Sequence, residues 1–335
     1  MIKLEKIYNN KLQDKKFIDL FCGLGGFRLA LESYGAKCVF SSDIDKCVSK
    51  TYENNFGIYP LSDITRVNEY DIPRHDILCA GFPCQAFSIS GKQRGFEDIR
   101  GTLFRDIVRI AKYHKPGLLL LENVKNLETH DNGRTFKIIK ENIENIGYNM
   151  YYKVLNASRY GIPQARERIY MVCIRNDLDN KNYEFPNPTN EEKCVKDILL
   201  NNLETEKFII TKPYRLKEEI EQINMFKCYS KPIRIGTVNK GGQGDRIYDP
   251  MGQAITLSAE GGGTGAKTGL YLINGQVRKL HPRECARLMG YPEEYIINES
   301  VNQAQKQFGN SVVVDVLQYI IKNLIDRGSI KEWIA

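Results

Sequence analysis

The chain has 335 residues, 42% of them hydrophobic and 27% charged; this balance excludes global disorder and allows one large domain, or a large and a small one, each with its own core. A formal net charge of +7 permits a polyanionic partner without requiring one. No apolar run approaches the length of a membrane span, and the charged N-terminus MIKLEKIYNNK lacks the apolar core that a secretory signal needs.

Phe17 to Phe21 (FIDLF) reads as a buried strand, Gly23 to Gly26 as a turn, and FRLALESYG as a helix ending at Gly35. KCVFSSD is a second strand, and DKCVSKTYENNFG a second helix closed by Gly57. HDILCAGFP is a strand running into a loop, and GTLFRDIVRIAKYHKPG a helix stopped by Pro116-Gly117. LLLLENV is a strand, and GRTFKIIKENIENIG a helix capped by Gly147. Strands alternating with helices at this spacing predict a doubly wound α/β sheet. YYKVLNA and RERIYMVCIR follow as a strand pair, an antiparallel addition at the sheet edge.

Near Asn176 the composition turns to that of a linker (NDLDNKNYEFPNPTN). From about Lys231 to Gly275 glycines cluster in KGGQGDR and AEGGGTGAKTG without helical periodicity, which predicts a smaller domain of short strands and glycine-rich loops. The end, QKQFGNSVVVDVLQYIIKNLI, reads as an apolar helix led by a Gly-Asn-Ser turn and packed back on the first domain.

The nine cysteines are odd in number, scattered and without a CxxC pair, and the four histidines are equally scattered. That pattern argues against a disulfide framework or a zinc knuckle, and no metal is expected. The natural setting is a reducing cytosol, with most thiols buried as small hydrophobes and room for one nucleophile.

Chemistry concentrates at strand ends. FCGLGG lies between a strand and a helix, where glycines let a ligand approach a helix N-terminus. Its spacing, Gly23-x-Gly25-Gly26, is not the dinucleotide GxGxxG. Asp43 closes the second strand about 20 residues on, as a ribose-binding acid or as a solvated strand-end residue. Asp63-Ile64 follows a third short segment, within reach of an adenine edge. Cys84, between Pro83 and Gln85, sits just past a buried strand and beside a long loop, Gln85 to Gly101. It is either a fixed nucleophile beside a closing loop or a buried structural cysteine. Glu122 ends an apolar strand; its carboxyl is either desolvated and proton-carrying or paired with a Lys or Arg. Arg166 and Arg168 share one face of a strand with Glu167 opposite, which asks for an anion or carbonyls between them.

FCGLGG, PCQ, ENV, RER and GNSVV, in this order and over nearly the whole chain, resemble the motif series of the cytosine-5 DNA methyltransferases, in particular those of bacterial restriction–modification systems. GFPCQAFSISGK, HDNG, KVLNA, YGIPQ, KGGQG and KLHPRECAR strengthen the likeness. The resemblance implies a Rossmann-like S-adenosylmethionine-dependent methyltransferase sheet with a smaller, mainly β or irregular target-recognition domain. It divides the chain into a catalytic and cofactor-binding domain (1–185 plus 305–330), a target-recognition domain (190–280) and a hinge region (281–304). It implies a monomeric bacterial cytoplasmic enzyme acting on double-stranded DNA, with no membrane, and a restriction endonuclease as its counterpart.

By the same resemblance, Phe21, Gly23 and Gly25 line the pocket for S-adenosylmethionine, which leaves as S-adenosylhomocysteine. Asp43 takes the ribose and Ile44 covers the adenine; Asp63, Ile64, Pro83 and Leu103 add contacts, and Asn310, Ser311 and Val312 close the pocket. Similar enzymes carry Glu and Trp at the positions of Asp43 and Ile44, so stacking on the adenine is lost here and weaker cofactor binding is expected. Cys84 is implied to be the thiolate that adds to carbon 6 of cytosine, with Glu122 donating to the ring nitrogen and Arg168 holding the exocyclic oxygen. Arg166 steadies the loop or a phosphate. The base must leave the helix, with Ser90 and Gln243, one from each domain, filling its space in a cleft between them. Arg246 suits a bidentate contact with guanine, and Thr256-Leu257 in AITLS matches a recognition signature. The expected site is GCGC or a close variant, although Glu260 stands where similar enzymes have Tyr. An NAD oxidoreductase would need the missing GxGxxG. A non-catalytic relative would lack the Cys, Glu or Arg. A transfer-RNA methyltransferase of the same chemistry would carry a reduced recognition domain.

Overall fold

A computed structural model describes residues 10–83, 103–189, 191–201, 205–217, 227–260 and 262–331. The chain divides into two compact units, Met1–Leu155 with Glu167–Asn187 and Val316–Ala335, and Asn156–Arg166 with Pro188–Asp315.

The first unit follows the expected alternation: β1 Lys16–Leu20, α1 Gly26–Glu32, β2 Lys37–Ser42, α2 Lys46–Phe56, β3 Ile77–Gly81, α3 Phe104–His114, β4 Leu118–Val124, α4 Arg134–Asn145 and β5 Tyr148–Asn156. A two-residue strand, β6 Gln164–Ala165, belongs to the second unit, and β7 Glu167–Arg175 returns to the first. The six-stranded sheet runs β2-β1-β3-β4-β7-β5. β1 pairs in parallel with β2 and β3, β3 with β4, and β7 antiparallel with β4. Leu118–Leu121 are wholly buried because helices cover both faces of a parallel sheet, which is why β4 reads as an unbroken leucine run. The core joins Ile18 and Leu20 of β1, Leu78 of β3, Ile107 and Ile110 of α3, and Phe136, Ile139 and Ile143 of α4.

Local chemistry sets the helix ends. Asp45 caps α2 by accepting from Cys47 N and Val48 N at 2.8 and 3.1 Å, and α2 stops at left-handed Gly57. α3 ends at left-handed Lys115, immediately before Pro116. The stretch with linker composition is anchored instead: Leu178 and Tyr183 are buried, Asn180 N donates to Ser329 O and Lys331 N to Leu178 O. Asn180 and Asn182 donate their side-chain amides to Gly328 O and Arg327 O, and Asp179 accepts from Asn149 and Tyr151, which composition does not reveal.

The second unit carries a five-stranded sheet, β13-β12-β10-β9-β8, built from β8 Tyr214–Leu216, β9 Ile233–Val238, β10 Arg246–Asp249, β12 Leu270–Ile273 and β13 Gln276–Arg278. Ile235, Val238, Ile247, Leu270 and Val277 form its core. β11 Ala254–Ile255 pairs in parallel with β6. Two helices absent from the sequence expectation follow, α5 Pro282–Arg287 and α6 Val301–Gly309. α5 starts with a reciprocal cap between His281 and Glu284, and Glu284 also makes a buried two-pronged ion pair with Arg278 at 2.7 and 2.8 Å. QKQFG thus closes α6 rather than opening the last helix, and α7 Val314–Asp326 begins after a break at residues 310–313.

Candidate active site

Because β1, β3 and β4 run the same way, the FCGLGG turn, the segment after Gly81 and Glu122 all emerge at one edge of the sheet, the edge where parallel α/β folds bind ligands. The turn after β1 is wound tightly. Phe21, Gly23 and Gly25 have φ of 56°, 52° and 77°, and Cys22 N donates to Ser42 O at 3.0 Å on the neighbouring strand. A Cβ on Gly25 would fall 2.5 Å from the Phe56 ring, so this position must be glycine for α1 to pack on α2. Among the described residues a Cβ on Gly23 would meet only the Phe21 carbonyl, at 3.9 Å, which leaves that side of the turn open to a ligand.

Asp43 joins the turns after β1 and β2. Its Oδ2 accepts from Gly23 N and its Oδ1 from Asp45 N, both at 2.9 Å. Burial pushes its carboxyl above the ordinary range, against the pull of these amides. A carboxylate offers about four lone-pair positions, more than the three amides of Gly23, Ile44 and Asp45 take up, which leaves room for a hydroxyl. Asp43 also bridges the segment that leads to Asp63, accepting from Ser62 N and donating to Pro60 O. Asp63 caps a short turn; bonds from the Thr65 hydroxyl and amide hold its carboxyl below the usual range. Ile44 is 72% exposed, whereas Ile64 is buried and its carbonyl accepts from Arg109. Pro83 is exposed past β3, and half-buried Leu103 packs on the core just before α3.

Glu122 is 7% exposed. It pairs with Tyr170 across the β4–β7 ladder, so Arg168, two residues earlier on β7, projects diagonally from the same face. Arg168 Nε lies 3.3 Å from Glu122 Oε1, and its Nη1 donates to Glu167 O. The carboxyl is therefore both buried and beside a guanidinium, which joins the two possibilities open at the sequence level. Buried Asn123, unremarked in the sequence, donates from Nδ2 to Phe82 O at 2.8 Å and pins the chain just before Pro83. Cys84 and Ser90 lie outside the described residues.

Sequence spacing puts Arg166 beside Arg168 on a strand facing a loop or phosphate; the structure corrects this. Arg166 precedes β7, is 2% exposed, and donates to Leu257 O, Gly309 O and Ser311 O at 2.7–3.1 Å. Main-chain carbonyls hold its charge. Gln164, also missed, accepts from Leu257 N and donates to Leu288 O. Thr256 donates to Ala165 O at 2.6 Å. Between them, residues 164–166 fasten the TLS and GNS segments together. There Asn310 is exposed, Val312 is buried, and the Ser311 hydroxyl meets the Tyr291 hydroxyl at 2.5 Å.

The two glycine-rich loops are also stitched to each other. A Cβ on Gly244 would fall 2.0 Å from Gly262 O, so only glycine permits this approach. Asp245 Oδ1 accepts from Thr264 N at 2.9 Å and from Asn239 Nδ2 at 3.2 Å. Gln243 is left exposed at the tip, and half-buried Arg246 starts β10, its Nε without a hydrogen-bond partner among the described residues.

A largely parallel α/β sheet bearing a glycine turn, a strand-end acid that can take a ribose and a buried Glu with an Arg beside it at one edge is the architecture of a Rossmann-like methyltransferase. The family model of the C-5 cytosine-specific DNA methylases matches residues 15–326. The type II methyltransferase M.HhaI of Haemophilus parahaemolyticus is 57% identical over 321 residues, covering 95% of this chain and 97% of its own. M.NgoBI of Neisseria gonorrhoeae is 43% identical over 305 residues, 90% of each chain. The Dnmt2 methyltransferase of S. pombe shares the fold, with a TM-score of 0.71 at 21% identity over 93% of this chain and 98% of its own. The chain belongs to the C-5 cytosine-specific DNA methylase family. It is an enzyme that transfers a methyl group from S-adenosylmethionine to cytosine in DNA, as its motif series led one to expect. Among the described residues no helix is long and apolar enough to cross a membrane.

Proposed function

We propose that this enzyme methylates a cytosine turned out of duplex DNA at GCGC or a close variant, acting as a monomer and protecting that site from a cognate restriction endonuclease. The observation that supports the chemistry is buried Glu122 with half-buried Arg168 beside it at 3.3 Å, on the sheet edge where β3 ends ahead of Pro83.

S-adenosylmethionine supplies an electrophilic methyl group on a sulfonium. Phe21, Gly23 and Gly25 would form its cradle, with Asp43 on the ribose and Ile44 over the adenine, and Asp63, Ile64, Pro83, Leu103, Asn310, Ser311 and Val312 would add contacts; the open side of Gly23 and the strand-end carboxylate of Asp43 support this. Carbon 5 of cytosine is a weak nucleophile. Addition of the Cys84 thiolate to carbon 6 makes the ring an enamine, and carbon 5 then takes the methyl group. Glu122, protonated, donates to the ring nitrogen as negative charge develops there, and Arg168 steadies both Glu122 and the exocyclic oxygen. Loss of the carbon-5 proton to water and expulsion of Cys84 restore the ring. Arg166 is a positioning residue, fixing two segments by their carbonyls.

Arg246 reads a guanine and Gln243 fills the space left by the extruded base, with Ser90 as its counterpart. Thr256 sets the recognition segment on β6. Bisulfite sequencing of plasmid from cells expressing the chain tests this reading. We expect conversion-resistant cytosine at the inner position of GCGC and none with Cys84→Ala; protection in another context, or none, contradicts it.

A further inference from the structure

The geometry points to a binding site for a thiophilic divalent cation of the zinc(II) type, formed by Cys194, Asp197 and Cys228 in the second unit and unrelated to the methyl-transfer chemistry. The three ligand atoms lie within 4.8 Å of one another. Cys228 Sγ is 3.6 Å from Asp197 Oδ2 and 2.8 Å from Cys194 Sγ. A tetrahedral zinc ion with its usual bond lengths sets sulfur and oxygen ligands about 3.6 Å apart and two sulfurs about 3.7 Å apart. The carboxylate is already at that spacing from Cys228, and the sulfurs need to open by about 1 Å.

The donors are brought together by main chain, not by chance side-chain contact. Val195 N donates to Gly252 O and Lys196 N to Pro250 O, while Tyr229 N donates to Met251 O. Both cysteine segments thus hang on the one turn 250–252. Asp197 is oriented by Cys194 N at 2.8 Å, a second-sphere bond of the kind that fixes metal ligands.

Access exists as well. Cys228 lines a cavity of about 250 Å³ together with Arg159, Glu192, Lys193, Tyr229 and Gln253, and Asp197 is exposed, so the cluster is reached from solvent. The sequence hides the site because its spacing is Cys-x-x-Asp with the second cysteine 31 residues beyond the acid, not CxxC.

The test uses the full chain, reduced, stripped with chelator and titrated with zinc(II), with cobalt(II) as a spectroscopic probe. Wild type should bind one zinc beyond any retained by Cys228→Ser and show thiolate-to-cobalt charge-transfer absorption. Zinc should protect Cys194 and Cys228, but not exposed Cys47, from alkylation. Asp197→Asn, which keeps the cap on Cys194 N, should weaken binding by more than about tenfold. Equal zinc retention by wild type and Cys228→Ser overturns the inference. So does a Cys194–Cys228 disulfide peptide from a chain that binds no metal when reduced.

Discussion

Arg168 reaches Glu122 because β7 runs antiparallel to β4, which places the two side chains diagonally on one face. If Glu122 is the proton donor, Glu122→Gln should lower kcat by about 10²–10⁴-fold while DNA and cofactor binding stay near wild type. A variant with unchanged kcat would remove it from the mechanism. Arg246→Ala should cost about 1–3 kcal/mol of discrimination at one base pair, read as kcat/KM on oligonucleotides altered one pair at a time. Unchanged selectivity would refute the guanine contact. The strand-end positions of Asp43 and Glu122 are legible in the sequence because each closes a short strand-like segment, KCVFSSD and LLLLENV. Asn123 and Gln164 are not: an amide is an ordinary turn residue until its partner is known, and Asn123 meets a carbonyl 41 residues away. Arg166 misleads for a related reason, since spacing gives its face only if the strand includes it, and β7 starts one residue later.

At the scale of elements, the alternation of the first unit is legible because helix and strand periods differ and glycines mark the ends. The short helices α5 and α6 escape because six and nine residues carry too little of a periodic stripe. The apolar α7 is legible, but its start reads too early because the turn at 310–313 is polar only at Asn310 and Ser311. The packing of α1 on α2 makes a separate prediction. Gly25→Ala adds a methyl group 2.5 Å from Phe56 at a left-handed backbone. It should destabilise the first unit by about 1–3 kcal/mol in urea unfolding and weaken S-adenosylmethionine binding. Wild-type stability would contradict that packing.

For the molecule as a whole, pH enters through Asp315 at the start of α7, whose carboxyl burial raises to about 6 from an ordinary value of 3.8. The folded chain therefore holds a proton that the unfolded chain has released between those values, and stability is lost as pH rises through this window. Asp315→Asn should be more stable than wild type by about 1–3 kcal/mol at pH 8, with the difference shrinking toward pH 4. A difference independent of pH would contradict the burial of that carboxyl. In the proposed mechanism Cys84 bonds covalently to an extruded cytosine whose ring Glu122 and Arg168 hold. The most direct measurement incubates the enzyme and S-adenosylmethionine with a duplex carrying 5-fluorocytosine at the target position, where fluorine blocks the final elimination. A denaturing gel should show a stable protein–DNA adduct with wild type and none with Cys84→Ala. A folded, DNA-binding wild-type enzyme that forms no adduct would contradict it.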